Sequence, residues 1–170
     1  MAIKVGILII SDKGSQGLRE DKCGPALKEY LDTSKFEVAE YDLVPDEPQP
    51  IQEKLIHWSD QLRLDLVLTS GGTGVSPRDI TPEATLKILD REIPGIGEAM
   101  RNESLKKTPM AILSRSVAGV RNGTLIVNLP GSPKGAVENL DAVCKALPHA
   151  IEKIQGDMAD CAAPQPQNIK

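Results

Sequence analysis

The first half of the chain contains three runs of strand length. Ile3–Ile10 is almost entirely apolar, Phe36–Val44 alternates between apolar and polar residues, and residues 64–69 form a second apolar run. A near-continuous apolar run is typical of a parallel strand that is covered on both faces. Helical patterns separate the three runs, so the sequence predicts a βαβαβ unit.

The second half continues with helical and hairpin patterns. Thr81 and Pro82 predict the start of a helix, with Thr81 as the capping residue and Pro82 at the first helical position. Asn122-Gly123 stands between two β-rich runs and predicts a tight hairpin turn. The last helical pattern contains Pro148, so we expect that helix to kink or to restart there.

Together these patterns predict an α/β fold. We expect a single domain with a mostly parallel open sheet, helices on both faces and a small β-hairpin. The 170 residues contain no internal repeat and no recognisable linker. We therefore expect one domain at residues 1–155 and a C-terminal tail at residues 156–170, which has little apolar surface to bury.

The composition limits the partners and the compartment. A net charge of −4 and an aromatic content of 2% disfavour nucleic acid, which needs a basic surface or stacking side chains. No apolar run approaches the roughly 20 residues that cross a bilayer, and the apolar N-terminus lacks a cleavage site. Cys23, Cys144 and Cys161 are odd in number and far apart, which favours a reducing cytoplasm over a disulfide framework. We expect a cytoplasmic protein that binds neither nucleic acid nor membranes.

Four polar loops follow predicted strands, at residues 11–24, 45–50, 70–79 and 130–135. In open α/β sheets ligands bind beyond the carboxyl ends of the strands, so we expect these loops to share one site. Three of them combine glycine with hydroxyl side chains ahead of a helix. Backbone amides and helix N-termini favour anions, so this combination suits phosphate oxygens. The plainer alternative is that the glycines only form tight turns.

The glycine loop TSGGTGVSPRD at residues 69–79 matches neither common phosphate signature. It lacks the lysine of GxxxxGK[ST], and the loop after the first strand is not GxGxxG. The loop PGSPKG at residues 130–135 supplies a cation instead, Lys134. The sequence therefore predicts an anion site that differs from those of P-loop and dinucleotide-binding proteins.

The aspartates of these loops suggest a metal ion. Asp79 and Asp46 would repel a phosphate unless a cation lies between them, and Mg²⁺ held by one or two carboxylates plus substrate phosphates would provide it. Asp12 is comparable to Asp46. The alternative is ordinary surface charge or, for Asp79, a hydrogen bond to nearby backbone. His57 and His149 lie away from the loops, so no general base is evident. Nucleotidyl transfer to an already ionised phosphate needs none.

Three motifs, VLTSGGTGVSPRDITPEA, IPGIGEAMR and LIVNLPGSPKG, occur in this order. They resemble the MogA/MoaB family of molybdenum cofactor biosynthesis proteins, and the resemblance runs from the first strand through the last helix. It implies a molybdopterin-binding-like three-layer sandwich and molybdopterin adenylyltransferase activity, in which the terminal phosphate of molybdopterin attacks the α-phosphate of ATP with the help of Mg²⁺. It also implies a homotrimer and a transient contact with the molybdenum-insertion protein.

The resemblance also implies roles for individual residues. Asp79 and Asp46 match the aspartates associated with catalysis and with the metal. The residues that match the nucleotide- and pterin-phosphate-binding pocket are Ser11, Asp12, Ser70, Gly71, Gly72, Thr73, Gly74, Ser76, Thr81, Pro130, Gly131, Ser132, Lys134 and Gly135. Cys23 stands where a serine is common, so it is left out of the predicted site. A non-catalytic pterin-binding or scaffold module of the same family is the main alternative, and a nucleotide sensor is another.

Overall fold

The computed structural model describes residues 2–157, which form a six-stranded sheet with helices on both faces. The strands are β1 (Ile3–Ile10), β2 (Phe36–Val44), β3 (Leu66–Ser70), β4 (Arg91–Glu92), β5 (Ala118–Arg121) and β6 (Thr124–Leu129). The helices are α1 (Asp12–Ser15), α2 (Cys23–Tyr30), α3 (Pro48–Ile56), α4 (Thr81–Leu86), α5 (Pro94–Leu105), α6 (Pro133–Cys144) and α7 (Leu147–Ile154). A π-helical turn, His57–Gln61, follows α3, and a 3₁₀ turn, Pro109–Leu113, follows α5.

The strands lie in the order β2-β1-β3-β6-β5-β4. The first four of these are mutually parallel. β5 and β4 run antiparallel to their neighbours, and β5 and β6 form a hairpin. Asn122 and Gly123 connect them with φ angles of 44° and 85°, as a tight turn between twisted strands requires. The predicted α/β fold, with its mostly parallel open sheet and small hairpin, is confirmed.

The central strand β1 contributes to a hydrophobic core on each side of the sheet. Val5, Ile7 and Ile9 pack in a cluster that includes residues of α2, α6 and α7. Leu8 and Ile10 pack on the opposite face with residues of α3 and α4. Since successive side chains of a strand point to opposite faces, both faces of β1 are buried. This is the physical reason for its near-continuous apolar sequence.

Three local predictions need correction or refinement. β3 begins at Leu66 instead of residue 64, because the Leu64 amide donates to the carbonyl of Trp58 at 3.1 Å and joins no strand. Thr81 does not cap α4, because its hydroxyl donates to the carbonyl oxygen of Gly71 at 2.9 Å instead. At Pro148 the chain restarts: α6 ends at Cys144 and α7 begins at Leu147.

The described part of the chain contains no helix that is both long and apolar enough to span a bilayer. Of the predicted C-terminal tail, only residues 156 and 157 are described. The remainder of that tail, with Cys161, lies outside the described residues.

Candidate active site

The loops that follow β1, β2, β3 and β6 surround a cleft of about 580 Å³ at the carboxyl edge of the parallel strands. The predicted site residues that line this cleft are Ser11, Asp46, Ser70, Gly71, Gly72, Asp79 and Gly131. The structure therefore brings together one or more residues from each of the four loops. The sheet topology explains this, because parallel strands end at the same edge.

The other predicted residues lie outside the lining of the cleft. They are Asp12, Thr73, Gly74, Ser76, Thr81, Pro130, Ser132, Lys134 and Gly135. Ser132 caps α6 through its Oγ, which accepts a hydrogen bond from the amide of Gly135 at 3.1 Å. That amide is therefore already engaged. Lys134 is exposed.

Two glycines let the glycine loop pass directly over the end of β1. Gly71 has a φ of +116°, and a Cβ atom there would overlap the carbonyl oxygen of Ile10. Gly72 has a φ of +63°, and its Cβ would come within 3.0 Å of Asp46 Oδ1. Only glycine fits both the backbone angle and the space at Gly71. The tight-turn interpretation of these glycines therefore holds, and the same turns place both residues in the cleft wall.

Hydrogen bonds fasten the glycine loop to the loop after β6. Ser70 Oγ donates to the carbonyl of Pro130 at 2.8 Å, and the Gly71 amide donates to Leu129 at 3.2 Å. The buried thiol of Cys23 lies 3.2 Å from the carbonyl oxygen of Gly131. The hydroxyl proton of Ser70 is thus used within the protein and is not available to a ligand.

The amides of residues 72–75 have no acceptor anywhere in residues 2–157. Buried or half-buried amides are usually paired, and Thr73 is only 6% exposed. Gly72 lines the cleft and the other three residues follow it directly in the chain. Successive unpaired amides are a typical arrangement for binding an anion. The glycine loop is therefore free to donate several hydrogen bonds to a ligand.

A pair of aspartates joins the loops after β1 and β2. The amide of Asp12 donates to Asp46 Oδ2 at 2.8 Å, and the amide of Asp46 donates to Asp12 Oδ1 at 3.0 Å. Arg78 then binds both carboxylate oxygens of Asp12, from Nε at 2.9 Å and from Nη2 at 2.8 Å. Arg78 thereby connects the glycine loop to this aspartate pair.

The two carboxyls of this pair differ in their electrostatics. Burial raises the pKa of the Asp46 carboxyl above its ordinary value, and the charges of Asp12 and Asp79 act in the same direction. The hydrogen bond from Arg78 lowers the pKa of Asp12. Asp46 is thus a half-buried carboxylate whose charge no side chain of residues 2–157 neutralises by direct pairing.

Asp79 makes the hydrogen bond to nearby backbone that was the alternative to a metal-binding role. Its Oδ2 accepts a hydrogen bond from the Ser76 amide at 2.8 Å, and its own amide donates to the Ser76 carbonyl at 2.9 Å. This exchange closes the turn at residues 76–79. Asp79 Oδ1 accepts no hydrogen bond from the described residues, so one oxygen of this cleft residue stays available to a ligand.

Sequence reasoning missed several residues of the cleft. Arg19 and Lys22 line it and supply positive charge, whereas the sequence predicts only Lys134 as a cation of the site. Both belong to the predicted loop at residues 11–24, so their positive charge could have identified them as site residues from the sequence. Asp21 also lines the cleft, and its carboxylate accepts hydrogen bonds from the Cys23 and Gly24 amides at 2.8 and 2.9 Å. The Asp21 carboxylate therefore binds the first two amides of α2.

Comparisons with known proteins identify the family to which the chain is similar. Residues 6–149 match the family model described as "Probable molybdopterin binding domain". The molybdopterin adenylyltransferase of Helicobacter pylori is 47% identical over 157 residues, which cover 91% of this chain and 89% of the relative. The molybdopterin adenylyltransferase of Escherichia coli is 42% identical over 175 residues, with 94% of this chain and 89% of the relative covered.

A solved structure supports the same grouping. The molybdopterin biosynthesis enzyme MoaB of Thermus thermophilus superposes with a TM-score of 0.87 at 58% identity, covering 91% of this chain and 98% of that one. The fold, the loops at the carboxyl edge and the extent of these matches lead to one conclusion: the chain belongs to the MogA/MoaB family of molybdenum cofactor biosynthesis proteins.

Proposed function

We propose that this protein is a molybdopterin adenylyltransferase, which transfers AMP from ATP to the terminal phosphate of molybdopterin and releases pyrophosphate. Relatives that share 47% and 42% of their residues with this chain carry that name. Both substrates present phosphates to the enzyme. A site for this reaction must therefore bind several phosphate groups and offset their charge.

The proposal depends most on one feature of the glycine loop, where free amide donors and negatively charged carboxylates lie close together. Gly72 and Gly74, whose amides have no acceptor within residues 2–157, lie close to the carboxylates of Asp46 and Asp79, respectively. Amides alone would suit a phosphate, but carboxylates at the same place would repel it. The combination suits a phosphate ligand that arrives with a divalent cation. ATP is such a ligand.

The residues present fit Mg²⁺. Asp46 Oδ1 and Asp79 Oδ1 accept no hydrogen bond from the described residues, and burial and neighbouring charges raise the pKa of Asp46. Residues 2–157 contain no group of three or more His, Cys, Asp or Glu residues arranged to hold a metal. Mg²⁺ is commonly held by one or two carboxylates together with substrate phosphates. We propose that Asp46 and Asp79 hold it, and that when bound it neutralises phosphate charge.

The chemistry needs positioning more than proton transfer. A terminal phosphate oxygen of molybdopterin forms a bond to the α-phosphorus of ATP. The bond from that phosphorus to the oxygen bridging to the β-phosphate breaks, and pyrophosphate leaves with the electron pair. The attacking phosphate is already ionised near pH 7, so no general base is required. Arg19 and Lys22 line the cleft together with Gly72, and we propose that they and the amides of the glycine loop orient and neutralise the phosphates.

A pterin-binding scaffold is the competing proposal, and a nucleotide sensor is another. A scaffold would bind molybdopterin without releasing pyrophosphate, and a sensor would bind ATP whether or not the pterin is present. The experiment is to mix the purified protein with ATP and Mg²⁺, with and without molybdopterin, and to measure pyrophosphate. We expect release only when all three are present. Pterin binding without pyrophosphate release would favour the scaffold.

We also propose the wider features of the family for this chain. Its domain extends over residues 1–155, it forms a homotrimer in the cytoplasm, and it contacts a molybdenum-insertion protein transiently. Apolar side chains that are 45–71% exposed support self-association: Leu105, Met110, Ile112 and Leu113. They follow one another in α5 and the 3₁₀ turn Pro109–Leu113. Exposed apolar clusters of this kind mark interaction surfaces.

A further inference from the structure

Arg115 lies between the 3₁₀ turn and β5, and it contacts the glycine loop with both its backbone and its side chain. Its amide donates to the Thr73 carbonyl at 2.9 Å. Its Nε donates to the Gly74 carbonyl at 2.7 Å, and its Nη2 donates to the Asp79 carbonyl at 2.5 Å. Its Nη1 pairs with the carboxylate of Glu83 in α4. One residue therefore binds three carbonyls of a single loop.

These contacts fix the direction of the loop's amides. In a trans peptide the C=O and the following N–H point in opposite directions. With the Thr73 and Gly74 carbonyls held by Arg115, the amides of Gly74 and Val75 must point away from it. These two amides belong to the group at residues 72–75 that has no acceptor within residues 2–157. The same argument applies to the amide that follows the Asp79 carbonyl.

The segment that carries Arg115 is itself held in place. Arg101, on α5, donates from Nη1 to the carbonyl of Ser116 at 3.0 Å and to that of Ser114 at 3.4 Å. Both residues flank Arg115. Arg115 does not line the cleft, so it can act on a bound ligand only through the loop.

We propose that Arg115 is the positioning residue of the phosphate-binding loop: it turns the carbonyls of residues 73, 74 and 79 away from the ligand and presents the opposed amides to a phosphate. This rests on the proposed function only in naming ATP as the source of that phosphate. The planar guanidinium is needed because Nε and Nη2 contact two separate carbonyls in a fixed geometry. A lysine ammonium retains the charge but cannot reproduce that geometry.

The test compares Arg115→Lys with Glu83→Gln. The second variant removes the charged partner of the same guanidinium but no contact with the loop, so it is a matched control. We measure the dissociation constant of inorganic pyrophosphate with Mg²⁺ present, the KM for ATP, the KM for molybdopterin and the thermal midpoint. We expect Arg115→Lys to weaken pyrophosphate and ATP binding on the order of tenfold, because two charge-assisted hydrogen bonds are disturbed. The KM for molybdopterin and the thermal midpoint should stay close to wild type. Glu83→Gln should change each value by less than about threefold.

Unchanged pyrophosphate and ATP binding in Arg115→Lys would overturn the inference. A uniform loss, in which molybdopterin binding and the thermal midpoint fall together with ATP binding, would also overturn it by showing a merely structural role. If Arg115→Lys folds poorly, we instead measure pyrophosphate binding by Arg115→Ala with and without millimolar guanidinium. Recovery of pyrophosphate binding supports the inference, and failure to recover contradicts it. Because pyrophosphate binding requires no turnover, a wild-type protein that binds pyrophosphate but forms no product would refute the proposed function alone.

Discussion

Asp46 carries a charge that the folded protein disfavours. Its carboxyl is half-buried, and Asp12 and Asp79 stand close to it; together these raise its pKa. A carboxylate kept in such a place is a candidate for function, since a neutral residue would fold more easily. The direction of the pKa shift makes this account testable through stability as well as through activity.

We predict that Asp46→Asn does not destabilise the protein at pH 7. The pKa of this carboxyl is 3.8 in the unfolded chain and higher in the folded protein. The carboxyl therefore stabilises the folded protein at pH values below 3.8. This stabilisation is lost as the pH rises through the folded pKa. Asparagine avoids the loss, and its side-chain oxygen can still accept the Asp12 amide. The free energy of unfolding of the variant should therefore equal or exceed that of wild type at pH 7.

The measurement is urea unfolding at pH 7 and at pH 4 and below, followed by the fluorescence of the single tryptophan, Trp58, which is 1% exposed. The two proteins should converge toward the acidic end, because the wild-type carboxyl is then protonated. A variant that is clearly less stable than wild type at pH 7 would mean that the Asp46 charge supports the fold. Activity should be lost in either case.

At the scale of elements, the glycine loop depends on a close approach between β1 and β3. Gly71 takes a φ of +116° against the backbone of Ile10, and Thr81 fixes the other side of the loop by donating to the Gly71 carbonyl. Gly71 and Thr73 are therefore buried in the fold, whereas the amides of residues 72–75 find no acceptor within residues 2–157. The geometry of the loop should be sensitive to a single added methyl group.

We predict that Gly71→Ala destabilises the protein by roughly 2–4 kcal/mol, since it combines backbone strain with an overlap that involves main-chain atoms. Gly95→Ala is the matched control: this glycine lies in α5, and a Cβ there would meet nothing within 4 Å. The control should be neutral or stabilising by up to about 1 kcal/mol. Equal unfolding midpoints in urea for the two variants would contradict the account of the loop.

Local patterns were sufficient to predict β1, β2 and the position of the cleft, but they misplaced the start of β3 and did not predict the two-residue strand β4. Ile3–Ile10 and Phe36–Val44 have the predicted bounds. A strand buried on both faces has a continuous apolar sequence and a strand buried on one face has an alternating sequence, so both can be recognised from the residue pattern. The role of Arg115 could not be read in this way. Its loop partners lie 36 to 42 residues away, and such contacts exist only once the sheet has formed. Thr81 failed as a predicted cap for the same reason, since a distant carbonyl competes for its hydroxyl.

At the scale of the whole molecule, the exposed apolar surface lies next to the segment that supports the glycine loop. Met110 and Ile112 are 63% and 71% exposed, and the chain continues from their 3₁₀ turn directly to Arg115. Covering this surface in an oligomer would bury apolar area and also restrain the neighbouring segment. The proposed homotrimer therefore has a physical basis in this surface.

We predict that Ile112→Glu shifts the oligomer to the monomer, because a charge at a buried interface is strongly unfavourable. Leu18→Glu is the matched control: Leu18 is 73% exposed and belongs to the loop after β1, a different segment of the chain from α5 and the 3₁₀ turn. Light scattering after size-exclusion chromatography gives the masses. A wild-type monomer, or an Ile112→Glu variant with the mass of wild type, would show that this surface does not mediate assembly.

The central claim is that the carboxylates beside the glycine loop serve AMP transfer, and the most direct measurement compares wild type, Asp79→Asn and Asp90→Asn. Asp90 lies outside the cleft, and within residues 2–157 its carboxylate accepts a hydrogen bond only from the Asn122 amide, so its replacement by asparagine is the control. Each protein is mixed with molybdopterin, ATP and Mg²⁺, and the pterin product is identified by mass spectrometry. We predict adenylylated molybdopterin from wild type and from Asp90→Asn. Asp79→Asn should bind molybdopterin but form no product. Product at the wild-type rate from Asp79→Asn, or none from the wild type under saturating substrates, would contradict the claim.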